Sequence, residues 1–281
     1  MCTTCGCGPT DTHDHDHHHG DHHHSHSHSH SPDHEHHDHD HHDHEHHDHD
    51  HDHHAHDNVS GSRKRTVIAI EEDILAKNNR LASFNRALFK DKGIFVLNLV
   101  SSPGSGKTTL LERTLRDLAD RFRFAVIEGD QQTDNDARRI AATGVAVRQI
   151  NTGAGCHLDA HMVMHGTEGF DLDNLDILLI ENVGNLVCPA SFDLGEHHKV
   201  AVLSVTEGED KPLKYPQMFH NSTVMLLNKT DLLPHLDFDV EKCKEYARRV
   251  SPDITIFEVS ARTGEGMDAW YQWLTTGTKK P

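Results

Sequence analysis

The sequence predicts an α/β domain with a mainly parallel sheet, preceded by a long polar segment of different character. Three observations predict it. Seven apolar runs of strand length alternate with helical segments from residue 94 onward, a glycine-rich turn follows the first run, and 25 of the chain's 32 histidines lie in the first 57 residues.

The N-terminal segment divides in two. Residues 1–10 carry Cys2, Cys5 and Cys7, half of the chain's six cysteines. Residues 11–57 hold 12 Asp, two Glu and no Lys or Arg, which accounts for 14 of the 18 net negative charges; Ala55 is their only apolar residue. Such a run cannot bury enough surface to offset the entropy of ordering it, so disorder is expected. The rest of the chain has 27 basic against 31 acidic residues, so the acidic pI describes the tail and not the domain. Residues 58–65 turn small and basic and read as a linker. Residues 66–281 then form one domain, and roughly 220 residues suffice for a sizeable core.

The composition excludes several classes. No basic stripe or aromatic-rich face argues for nucleic acid, and no apolar run reaches the about 18 residues a membrane span needs. The N-terminus lacks the basic and apolar regions of a signal peptide, and Lys279-Lys280-Pro281 is no lipidation box. A cytoplasmic protein is expected, in which reduced cysteines read as ligands in preference to disulfides.

Ile74, Leu75, Leu81, Ala82, Leu88 and Phe89 recur at helical spacing and predict a helix over 71–90, packed on the sheet or contacting a partner. Strands are predicted at 94–100, 124–127, 145–150, 177–180, 200–205, 223–227 and 254–259. Helices are predicted at 108–120, 158–165, 240–250 and 266–274. In such sheets ligands sit beyond the carboxyl ends of the strands, where every motif below falls.

The first strand runs into Ser101-Ser102-Pro103-Gly104-Ser105-Gly106-Lys107-Thr108-Thr109 and then a helix. This is a phosphate-binding loop: backbone N–H groups around Gly104, Ser105 and Gly106 and the helix N-terminus cradle phosphate, Lys107 reaches the β and γ oxygens, and Thr108 offers a hydroxyl to Mg²⁺. Ser101 departs from the glycine usual at the first position, but the flanking strand and helix restore the reading. Asn228-Lys229-Thr230-Asp231 has the N-K-x-D spacing that reads guanine, because Asp231 accepts from a donor pair adenine lacks; Ser260-Ala261-Arg262 resembles the companion base-contacting loop. Asp130 and Glu181 end strands where a carboxylate can reach Mg²⁺, and with Lys107 they form the expected catalytic set. The polar stretch 130–136 is a candidate switch ordered by the γ-phosphate.

Cys2, Cys5 and Cys7, with the terminal amine, suit square-planar Ni²⁺ and equally tetrahedral Zn²⁺. The histidine tract is a loose, polydentate surface for divalent ions, with affinity falling as imidazoles protonate near pH ~6.5, or else simply a solubilising tail. Cys156-His157 follows the third strand, and Cys188-Pro189 lies seven residues past Glu181. Together they can form a small metal site, although an isolated cysteine is more often a buried apolar residue. Cys243 reads as structural.

These motifs in this order resemble the HypB family, the nickel-incorporation GTPases of NiFe-hydrogenase maturation. The resemblance rests on the N-terminal C-x-x-C-G-C and, from about Thr66, on SSPGSGKTT, EGDQQTDND, Gly155-Cys156-His157, ENVGNLVCP, NKTD and SARTGEG. It implies a P-loop NTPase, a G domain of SIMIBI type, that hydrolyses GTP with Mg²⁺, slowly when unaided. It implies a GTP-dependent homodimer that receives Ni²⁺ and passes it, with a HypA-type accessory protein, to the hydrogenase large-subunit precursor. Cys2, Cys5 and Cys7 become its high-affinity nickel site, and Cys156, His157 and Cys188 its lower-affinity site. Two other readings compete: a urease-maturation GTPase, disfavoured because no proline separates Cys156 from His157, and a nickel-storage protein with an incidental GTPase.

Overall fold

The computed structural model describes residues 59–131 and 133–278, with side chains from residue 69. The chain divides into Met1–Arg63 and Lys64–Pro281, and the fold below is that of the second unit. Cys2, Cys5, Cys7 and the histidine tract lie outside the described residues.

A helix α1 (Val59–Lys92) leads into β1 (Phe95–Ser101), and six more strands follow: β2 (Phe124–Asp130), β3 (Ala146–Asn151), β4 (Ile177–Glu181), β5 (His198–Ser204), β6 (Val224–Asn228) and β7 (Thr255–Glu258). Between and after them come α2 (Lys107–Leu118), α3 (Asn135–Ala141), α4 (Ala160–Gly166), α5 (Lys211–Lys214), α6 (Pro216–His220), α7 (Val240–Val250) and α8 (Met267–Gly277). The strand order is β3-β2-β4-β1-β5-β6-β7. All six neighbouring pairs are parallel.

Helices cover both faces, which is why the inner strands are apolar almost throughout. All seven residues of β1 are buried, and so are all five of β4 and of β6. Edge strand β3 instead has no buried residue. On one face, Leu97 and Leu99 of β1 pack with Leu110, Leu111 and Leu115 of α2 and Trp270 and Leu274 of α8. The Trp270 indole N–H donates to Thr114 Oγ1 at 3.2 Å, so this large ring is buried without leaving its donor unpaired. On the other face Phe89 of α1 joins Val96, Ile127, Val163 and Ile180.

Buried amides fix α1 against α4. Asn78 Oδ1 accepts from Ala160 N at 2.9 Å, while Asn85 Nδ2 donates to the Ala160 and Leu194 carbonyls at 2.8 and 3.0 Å. Helix α1 starts earlier than the predicted 71–90: from Val59 onward the stretch 58–65 read as a linker is helical. Its change of composition marked a boundary of character, but Arg and Lys are good helix formers and do not by themselves stop a helix. Helices α3, α5 and α6 were not predicted. Among the described residues no helix is long and apolar enough to cross a membrane.

Because β4 and β5 flank β1 on opposite sides, the chain reverses direction across the sheet at the carboxyl end of β1. This is the topological switch point at which open parallel sheets bind ligands.

Candidate functional site: a nucleotide cavity beside a thiolate and imidazole cluster

The loop between β1 and α2 encloses a cavity of about 600 Å³, lined by residues including Ser102, Gly104, Lys107, Asp130, Arg139 and Lys229. Gly104 and Gly106 adopt φ of +75° and +92°, the left-handed region that favours glycine. A Cβ at Gly106 would also lie 2.7 Å from Asn228 Nδ2, so the turn is held both by its own conformation and by the neighbouring loop.

Two oxygen-bearing side chains, Thr108 and Glu181, meet below this loop, and Asp130 lines the cavity. Glu181, at the end of β4 and 1% exposed, accepts from Thr108 Oγ1 at 2.7 Å and from Lys107 Nζ at 3.0 Å on the same oxygen. Its other oxygen is buried without a hydrogen-bond partner, as is the Ser105 hydroxyl. Buried polar atoms are normally satisfied, so a hard cation at Glu181 and a phosphate at Ser105 fit these orphans. Asp130, ending β2, accepts from Gln131 N at 2.7 Å and from Thr133 N and Oγ1 at 2.9 and 2.6 Å, which orients its carboxylate at the cavity wall. Thr109 accepts from Arg139 at 3.0 Å, and the same guanidinium pairs with Glu112 at 2.6 Å.

The other predicted nucleotide residues gather at the ends of β6 and β7 in two roles. Asn228 is 1% exposed and its amide is engaged at both ends, donating to Ser105 O at 3.0 Å and accepting from Ala261 N at 3.2 Å. It therefore ties the phosphate loop to the SAR loop. Lys229, at φ 65°, donates to Gly104 O at 2.7 Å, which holds an otherwise uncommon backbone conformation. Asp231 accepts from Ser260 Oγ at 2.6 Å, and Ser260 Oγ in turn accepts from Thr263 N at 3.1 Å. Ser260 and Ala261 are thus hydrogen-bonded to Asp231 and Asn228.

The metal-binding candidates of the domain come together. The ligand atoms of Cys156, His157 and Cys188 all lie within 4.8 Å of one another, and Cys156 Sγ is 3.7 Å from His157 Nδ1. His157 packs against Phe192, with ring centroids 3.9 Å apart and planes tilted by 38°. Burial pushes its pKa below the usual imidazole value against a weaker opposing pull from Asp159, which favours the neutral form a metal needs. Two sulfurs and an imidazole nitrogen suit Ni²⁺ or Zn²⁺. Cys243 is fully buried in the domain and its thiol is pushed up to about 12 by desolvation, as befits a packing residue.

Buried polar residues link the two sites. Asn182, next to Glu181, accepts on Oδ1 from Leu158 N, next to His157, at 3.0 Å. Its Nδ2 donates to Asn98 Oδ1 at 3.2 Å, and Asn98 Nδ2 donates to Glu196 at 3.1 Å. Glu196 faces Lys199 at 4.0 Å, and Lys199 Nζ donates to the carbonyls of Pro189, Ala190 and Phe192 at 3.0, 2.9 and 3.1 Å, just beyond Cys188. Asn182 belongs to the ENVGNLVCP motif, but Asn98, Glu196 and Lys199 were not singled out from the sequence. The available signal was a polar residue inside a buried strand, as Asn98 is in β1 and Lys199 in β5.

A parallel sheet with a phosphate loop at its switch point and an aspartate-bearing recognition loop two strands away defines a P-loop GTPase. A family model described as CobW/HypB/UreG, nucleotide-binding domain, matches residues 95–258. Hydrogenase maturation factor HypB of Azotobacter vinelandii is 66% identical over 214 residues, covering 76% of this chain and 71% of that protein. The crystal structure of HypB from Helicobacter pylori in complex with nickel matches with a TM-score of 0.69 and 40% identity, over 72% of this chain and 95% of that one. HypB from Archaeoglobus fulgidus matches with a TM-score of 0.68 and 38% identity, over 73% of this chain and 100% of that one. The chain belongs to the HypB hydrogenase maturation factors, within the CobW/HypB/UreG family.

Proposed function

We propose that the chain is a GTP-hydrolysing nickel metallochaperone of hydrogenase maturation, in which the nucleotide sets the grip of Cys156, His157 and Cys188 on Ni²⁺. The single observation carrying the coupling is Asn182, which is bonded to Leu158 N beside His157 and adjoins Glu181 in the chain. Family membership supports GTP and Mg²⁺ as the reactants' partners at the phosphate loop. Nickel is cargo here and not a resident cofactor.

Lys107 and the loop N–H groups hold the triphosphate and offset charge developing on it during transfer to water. Thr108, Glu181 and Asp130 would hold Mg²⁺, which neutralises charge on the β and γ oxygens when bound. Engagement of Glu181 draws on the strand end that carries Asn182. Asn182 passes that displacement to Leu158 and His157, while Asn98, Glu196 and Lys199 pass it to the backbone after Cys188. Hydrolysis relaxes both, and the spacing of the three ligands changes. Asp231, held by Ser260, selects guanine.

Delivery requires recipients. A GTP-dependent homodimer, a HypA-type accessory protein and the hydrogenase large-subunit precursor are the partners this reading assigns, with Cys2, Cys5 and Cys7 as a second, tighter nickel site. The test is nickel affinity at the domain cluster in Cys2→Ser/Cys5→Ser/Cys7→Ser protein, with GDP and with a non-hydrolysable GTP analogue. The two affinities differ in the otherwise unaltered domain and converge in Asn182→Ala. Equal affinities in the unaltered domain would remove the coupling.

A further inference from the structure

Among the described residues, three cations line the cavity at the phosphate loop: Lys107, Lys229 and Arg139. The two lysines belong to the phosphate-loop and N-K-x-D motifs, whereas Arg139 belongs to no motif. It lies on α3, just past the candidate switch 130–136, and its guanidinium reaches across to the start of α2. There Nη2 donates to Thr109 Oγ1 at 3.0 Å and to Glu112 Oε2 at 2.6 Å, while Nη1 donates to Asp136 Oδ1 at 3.1 Å. Its Nε–H and one Nη1–H have no hydrogen bond among the described residues.

These contacts hold a long side chain in one place. Glu112 is an anchor only 12% exposed, and the guanidinium that it fixes is 43% exposed. An arginine is always charged and presents a rigid fork of donors that matches phosphate, so a tethered one at a cavity wall loses little freedom on gripping an anion. Asp130 and Asp136 line the same cavity and repel a polyanion, and Arg139 offsets Asp136 by direct contact.

Thr109 indicates which phosphate lies within reach. In a phosphate loop the lysine serves the β and γ oxygens and the next hydroxyl serves Mg²⁺. Thr109 is one residue further along α2, on the side of the α-phosphate and away from γ. We propose that Arg139 is a nucleotide-binding residue, supplied in cis, that contacts the α-phosphate and thereby holds α3 against α2 when nucleotide is present. The inference rests on the phosphate loop as the nucleotide site. A group that touches the α-phosphate holds GDP and GTP alike, so Arg139 contributes affinity and not rate.

The test is titration calorimetry of the full chain with GDP and with a non-hydrolysable GTP analogue, both with Mg²⁺, for the parent, Arg139→Ala, Arg139→Lys and Glu112→Gln. Losing one charge-assisted contact should weaken both nucleotides by about tenfold in Arg139→Ala. KM for GTP should rise with kcat unchanged. Arg139→Lys keeps the charge without the fork and should fall between. Glu112→Gln cuts the tie between α2 and α3 but keeps the guanidinium, and should bind both nucleotides at least as well as the parent. In phosphorus NMR of bound GDP, the α resonance should differ between the parent and Arg139→Lys while the β resonance stays in place.

Unchanged affinities in Arg139→Ala, whatever its melting temperature, would overturn the contact. Equal weakening in Glu112→Gln would do the same, since it would reduce Arg139 to a tie between helices. Weakening of the GTP analogue alone, or a fall in kcat, would move the contact to the γ-phosphate and overturn the α assignment. A parent protein that binds neither nucleotide would instead sink the phosphate-loop reading itself.

Discussion

Glu128 lies in β2 beside Glu181 of β4, and its carboxyl is buried with one oxygen unpartnered. Burial, then the charges of Glu181, Asp130 and Asp136, push its pKa from 4.5 up to about 8, with Lys107 opposing. The folded protein therefore keeps this proton where the unfolded chain has released it. Its contribution to stability is complete below pH 4.5 and is lost as pH rises through about 8. Glu128→Gln cannot lose the proton, so its melting temperature should gain on the parent's from pH 5 to pH 8, measured without added nucleotide or metal; a constant difference would show that Glu128 ionises normally. At the base-recognition loop, Asp231→Asn should lose GTP turnover and gain turnover of xanthosine triphosphate, whose extra carbonyl accepts from the new amide. Unchanged GTP kinetics would refute the role given to Asp231.

Among the elements, the short 3-10 helix Cys188–Ala190 owes its position to Lys199 of β5, a buried ammonium that donates to three carbonyls in the segment after Cys188. Lys199→Ala would strand Glu196 and those carbonyls, and breaking such a buried pair costs about 3–5 kcal/mol. The melting temperature should fall markedly, and nickel affinity at the cluster should fall even at temperatures where the variant stays folded. Stability lost with full nickel affinity would confine Lys199 to a packing role. The inner strands were legible in the sequence because burial on both faces makes each a continuous apolar run. The helices α3, α5 and α6 were not, since four to seven residues give too little periodicity and α5 and α6 each begin beside a proline. The phosphate loop was legible because its function is local to eight residues. The meeting of Cys188 with Cys156 and His157 was not derivable from spacing: β4 lies between them in sequence, and β2 separates β4 from β3 in the sheet. Likewise the tie from Asn228 to Ser105 spans 123 residues, and no local pattern announces it.

For the whole molecule, the nickel-chaperone reading assigns nickel storage to the histidine-rich stretch 11–57 and GTP hydrolysis to the domain. Removing residues 11–57 should lower the number of nickel ions bound per chain while leaving GTP turnover, and hydrogenase maturation under ample nickel, close to normal. Loss of maturation at ample nickel would mean that the tail takes part in delivery, and the storage role alone would be abandoned. The branch from Glu181 through Asn182 to Leu158 has a separate consequence. Its link is a neutral amide sealed from solvent, so dissolved ions have no charge there to shield and protons no group there to titrate. Communication along this branch should therefore persist, undiminished, from dilute buffer to brine.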